Sequence, residues 1–112
     1  MPARSLVLAS ASPARLGLLR TAGFAPEVMV SGVDEDGVQG LDAVETAATL
    51  ARRKAAAVVD RLAAHASNPA DSVGSFDRAL VLGCDSVLAI DGEVRGKPRS
   101  AAEATAWWRG YR

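Results

Sequence analysis

The chain begins its ordered pattern with a short continuous apolar run, SLVLA from Ser5 to Ala9, as expected of a strand buried on both faces. Ser12 followed by Pro13 predicts a helix start, with the hydroxyl at the cap and the proline in the first helical position. Leu16, Leu18, Leu19 and Ala22 then give a stripe expected to face a core, and Gly23 predicts the stop. PEVMVSG predicts a second strand with Val28 and Val30 on one face, and VDEDGVQG an acidic, glycine-bearing loop. The longest helical pattern runs from Asp42 to about His65. Its apolar face is read as Val44, Ala47, Ala48, Leu50, Ala51, Ala55, Val58, Val59 and Leu62. Asp42 with Glu45 three residues on resembles a capping box.

After a polar, turn-rich linker (ASNPADSVGSFD), ALVLGCDSVLAI predicts a strand interrupted or bent near Gly83. Asp91-Gly92 turns it back into EVRG as a hairpin. Ser100 caps a last predicted helix through Trp108. The order β-α-β-α-β-β-α indicates an α/β or α+β sheet protein, and 112 residues allow at most one ordinary domain.

Composition narrows the chemistry. Thirteen basic residues balance thirteen acidic ones, so no bulk field argues for nucleic acid or an anionic membrane, and any anion site must be local. The single Cys84 rules out an internal disulfide and fits a reducing cytosol. The single His65 leaves no His/Cys cluster for zinc. The apolar run near the start is too short for a signal peptide, and no stretch is long enough to span a bilayer. Cytoplasmic residence is the expectation.

Several segments can carry chemistry. In SASPAR a strand hands over to a helix N-terminus, whose free N–H groups and dipole attract phosphate. Ser10 and Ser12 can add hydroxyls, and Arg15 can fork onto two phosphate oxygens. The bland alternative is a capped helix beside a solvated arginine. Asp85 interrupts an apolar run, and a carboxylate there needs a cationic partner or a metal. Asp34, Glu35 and Asp36 supply further carboxylates, or simply a solvated turn. Arg52, Arg53 and Lys54 occupy adjacent helical positions about 100 degrees apart, and Lys54, on the Leu50 side, can reach inward instead of snorkelling. Lys97 in RGKPR is not a phosphate-loop lysine, because the glycine spacing is wrong and proline follows it. Trp107 and Trp108 are expected as packing residues rather than a platform for bases. No GxGxxG follows Ala9, which argues against a dinucleotide-binding domain.

Taken in order, LASASPARLGLL, DED, ARRKA, GCDSVL and GEVRGKP resemble the Maf family of nucleoside triphosphate pyrophosphatases, also described as septum-formation inhibitors. The resemblance implies a Maf/ITPase-like mixed sheet flanked by helices. It implies a house-cleaning hydrolase that splits a nucleoside triphosphate, with dTTP, UTP or modified nucleotides as the expected substrates, into monophosphate and pyrophosphate. Ser10 and Arg15 match the serine and second arginine of the family's SxSPRR motif, while Ala14 stands where the first arginine is expected. Lys54 and Lys97 match two lysines that approach the triphosphate. Glu35 matches an acidic position near a metal. Asp85 matches the aspartate of GxDT, as general base or metal ligand, with Ser86 in place of threonine. The implied cofactor is a divalent cation, Mg²⁺ or Mn²⁺. The family's chains are much longer, so residues 1–112 are expected to form a single but incomplete domain with an uncovered sheet edge. Weak stability, association (a homodimer, for instance) or inactivity in isolation follows from that expectation. The competing expectation is a nucleotide-binding fragment, or a division-linked partner protein, without turnover.

Overall fold

The computed structural model describes residues 5–33, 40–66 and 78–110. In chain order the elements are β1 (Leu6–Ala9), α1 (Pro13–Thr21), β2 (Glu27–Val28), α2 (Ala43–Ala66), β3 (Leu80–Gly83), β4 (Leu88–Ile90), β5 (Glu93–Arg95) and α3 (Ala101–Gly110). The α/β class expected from the pattern is the one observed.

The apolar run at β1 becomes the central strand of a three-stranded parallel sheet ordered β2-β1-β3. Leu6 to Ala9 pair in register with Leu80 to Gly83, and Val7 and Leu8 with Glu27 and Val28. Being flanked on both sides, β1 is where burial is deepest: Val7, Leu8 and Ala9 are buried. The predicted long strand around Gly83 is interrupted outright. Its first half joins the parallel sheet, and its second half forms a separate antiparallel hairpin, β4-β5. Asp91 and Gly92 take φ of 49° and 80° at the hairpin tip, the left-handed pair that a two-residue turn between twisted strands requires.

α2 packs across β3 and β1, and Val58 from the helix closes a core cluster with Val7 and Ala9, flanked by Met29, Leu62, Ala79 and Val81. The helix comes very close to β3 at Gly83. A Cβ there would lie 2.1 Å from the Ala51 carbonyl oxygen and 2.9 Å from the Ala55 Cβ. Only a residue without a side chain permits this approach.

Three expectations about burial are corrected. The α1 leucine stripe is not a core face: the helix has no buried residue, and Leu18 is 71% exposed. Val44 and Val59 of α2 are exposed, while the buried stripe runs Leu50, Lys54, Val58 at four-residue spacing. A helix of 24 residues is about 36 Å long, whereas four-residue strands reach about 13 Å, so the sheet covers only the middle of α2. Val28 and Val30 do share a face, but it is the exposed one, and Met29 between them faces the core.

The local caps are as read. Ser12 Oγ accepts from the Arg15 N–H, Asp42 Oδ1 from the Glu45 N–H, and Ser100 Oγ from the Glu103 N–H. The linker at 67–77 and the acidic residues 34–36 lie outside the described residues. Among the described residues, no helix is long and apolar enough to cross a membrane.

Candidate functional site

Strand order β2-β1-β3 creates a switch point. The chain leaves β1 toward β2 on one side, then crosses back to pair β3 on the other. In open parallel sheets, the crevice beyond the carboxyl ends of the strands at such a point is where ligands bind. Ala9 pairs with Gly83 as the last step of the ladder, so Ser10 and the Cys84–Ser86 segment emerge side by side. A cleft of about 1100 Å³ opens there.

Arg15 joins the two segments. Its Nη1 donates to Ser10 Oγ at 2.9 Å and to the Cys84 carbonyl at 3.3 Å, and its Nη2 donates to Ser86 Oγ at 2.9 Å. All three acceptors are neutral, so the guanidinium keeps its positive charge facing the cleft. Ser10 Oγ also accepts from the Ser12 N–H at 3.2 Å. With both lone pairs engaged, its O–H is what remains to donate.

From the α2 side, Lys54 enters the buried stripe and its Nζ donates to Asp85 Oδ1 at 2.8 Å. The two side chains are 11% and 6% exposed, so this is an ion pair largely withdrawn from water. Of the two readings the sequence left open for Lys54, the inward one is observed. Among the described residues, Asp85 Oδ2 is buried without a hydrogen-bond partner. Asp85 is therefore held by Lys54 through one oxygen and flanked by two residues that Arg15 grips, while its second oxygen is uncommitted. An orphaned buried acceptor is costly in a static fold.

Ser10, Arg15, Lys54 and Asp85 all line the cleft, as does the exposed Lys97 beyond the hairpin. Glu35 lies outside the described residues. For a divalent cation, Asp85 Oδ2 is the fitting donor: Mg²⁺ commonly takes one or two carboxylates and completes its shell with water and substrate phosphates. Among the described residues, no group of three or more His, Cys, Asp or Glu side chains could hold a metal by itself.

Some cleft residues escaped the sequence reading. Arg95 and Arg99 line it together with Lys97. Their spacing of two along RGKPR, which places alternate residues of an extended segment on one side, was the available signal. Glu103 and Trp107 of α3 line it as well. Trp107, expected only as a packing residue, carries the Arg95 guanidinium over its ring at 5.1 Å from the centroid. Trp108 is 72% exposed.

The family model described as Maf-like protein matches residues 5–112. A protein named nucleoside triphosphate pyrophosphatase from Streptomyces coelicolor is 52% identical over 111 residues, which is 99% of this chain and 48% of that one. Proteins of the same name from Cutibacterium acnes and a Synechococcus strain are each 48% identical. They align with 95% and 92% of this chain, and with 46% and 52% of their own lengths. The chain spans about half the length of the curated relatives it matches.

Proposed function

The chain belongs to the Maf-like protein family, and on that premise we propose that it serves a nucleoside triphosphate pyrophosphatase, gripping the polyphosphate and presenting the group that activates water. The observation that carries this reading is the convergence of Ser10, Arg15, Lys54, Asp85 and Lys97 on one cleft at the carboxyl ends of β1 and β3.

A triphosphate carries about four negative charges, and its transfer chemistry is dominated by positioning and charge neutralisation. Arg15, Lys54 and Lys97 supply three cations, Ser10 donates its hydroxyl, and the N-terminus of α1 adds its dipole and the Ala14 N–H. Asp85 Oδ2 accepts a hydrogen bond from water and takes its proton as the water oxygen attacks the α-phosphorus. The bond from that phosphorus to the bridging oxygen breaks, and pyrophosphate leaves. Lys54 holds the same carboxylate through Oδ1, fixing its orientation. In its alternative role, Asp85 Oδ2 with Glu35 would hold a Mg²⁺ or Mn²⁺ ion instead of serving as the base. When bound, such an ion supplies further charge neutralisation at the phosphates. The reaction belongs in the cytoplasm on this reading, where Cys84 stays reduced.

The test is pyrophosphate release from dTTP and UTP, measured with and without Mg²⁺ or Mn²⁺, on this chain and on a full-length relative. The Asp85→Asn variant should lose release by about 10²-fold or more, the usual contribution of a positioned base. An unchanged rate in a folded variant removes Asp85 from the mechanism. Ala14 favours a second reading, nucleotide binding without turnover, because the family's first motif arginine is missing there. Calorimetry showing binding with no product would select it.

A further inference from the structure

The cleft is lined by charged groups and by one aromatic ring. Around the strand termini it presents a hydroxyl, cations and a carboxylate, through Ser10, Arg15, Lys54 and Asp85. From β5, the segment after it and α3, the same cleft is lined by Arg95, Lys97, Arg99, Glu103 and the indole of Trp107. That indole is half-buried on a helix with no fully buried residue. The Arg95 guanidinium lies over the ring and is itself fixed by Glu93 Oε2, which accepts from Nε at 3.1 Å and from Nη2 at 2.6 Å. A cation held over one face of an indole restrains the ring, so less rotamer freedom is lost when a flat group meets the ring's other face.

A cleft that carries both a polyphosphate grip and a π surface matches a ligand with a charged tail and a flat body. Resting on the nucleotide reading above, we propose that Trp107, held by Arg95 and Glu93, is the stacking platform for the nucleobase. Stacking works on the π-face of any base, so the ring contributes affinity for the base without strong discrimination between bases. The adjacent Trp108, largely exposed and not part of the cleft lining, takes no part.

The experiment compares UTP with inorganic tripolyphosphate, which has the tail and lacks the base, by calorimetry on this chain and its Trp107→Ala, Trp107→Phe and Trp108→Ala variants. The expected result is that Trp107→Ala weakens UTP by about 5- to 100-fold while tripolyphosphate changes less than about twofold. Trp107→Phe should recover most of the loss, and Trp108→Ala should change neither ligand. Equal weakening of both ligands in a folded Trp107→Ala variant overturns the proposal, since that is what a merely structural pin would do. Equal affinity of the unaltered chain for the two ligands also overturns it, while leaving the polyphosphate grip standing. If the unaltered chain binds neither, the nucleotide reading itself fails and the platform falls with it. Should Trp107→Ala not fold, fluorescence decides. In a Trp108→Phe chain, UTP must quench the remaining indole and tripolyphosphate must not, and the absence of that difference refutes the platform.

Discussion

Replacing Gly83 by alanine should do more damage than the same change at any other described glycine. The new Cβ would sit 2.1 Å from the Ala51 carbonyl oxygen, about 1.3 Å inside ordinary contact, with the Ala55 N and Cβ both at 2.9 Å. The opposing atoms belong mostly to the backbone of α2, which cannot rotate aside as a flexible side chain would. Relief requires α2 to lift off β3 by about 1 Å, and the same movement opens the contacts of Val58 and Leu50, which are 0% and 4% exposed. Overpacking costs about 1–3 kcal/mol, and a loosened core adds to it, so a loss of at least about 3 kcal/mol is expected. At about 4–8 °C per kcal/mol for a chain of this size, the melting temperature should fall by about 12 °C or more. The site feels the same shift, because Lys54 lies between Ala51 and Ala55 and Asp85 follows Gly83 by two residues. Urea and thermal denaturation followed by far-ultraviolet circular dichroism measure the loss. Gly17→Ala is the matched control: it lies in α1 with nothing within 4 Å of a built Cβ, so it should stabilise by up to about 1 kcal/mol. A Gly83→Ala protein within about 0.5 kcal/mol of the unaltered chain, or one no worse than Gly17→Ala, would refute the close-packing argument.

Two further outcomes follow from the site. Lys54→Met strips the partner from a carboxylate that is 6% exposed and should cost about 3–5 kcal/mol in chemical denaturation; the Lys54→Met/Asp85→Leu double variant should regain much of it, because no charge is then left buried alone. Arg15→Lys keeps the charge but cannot bridge Ser10, Cys84 and Ser86 at once, so tripolyphosphate binding measured by calorimetry should weaken about tenfold or more, and an unchanged affinity would show the fork to be dispensable.

Features that depend on neighbours along the chain were legible in the residues alone. The Ser12-Pro13 start, the Asp91-Gly92 turn, the Ser100 cap and the buried run at β1 are set by backbone propensity and by donors and acceptors a few residues apart. Lys54 also belongs to this class, since helical geometry alone puts it on the stripe with Leu50 and Val58. The apolar stripe of α1 and the outer valines of α2 misled for the opposite reason. Amphipathic spacing says which residues share a face, but not whether another element comes to cover it.

The remaining features depend on contacts between distant elements. The run around Gly83 divides between two sheets because β3 finds β1 as a partner while β4 finds β5, and hydropathy cannot name a strand's partner. Arg15 reaches Cys84 and Ser86 across 69 and 71 residues of chain, and Arg95 meets Trp107 from a separate element. Those contacts depend on how the elements dock, which is why the chain could supply the list of candidate residues but only folding brought them onto one cleft.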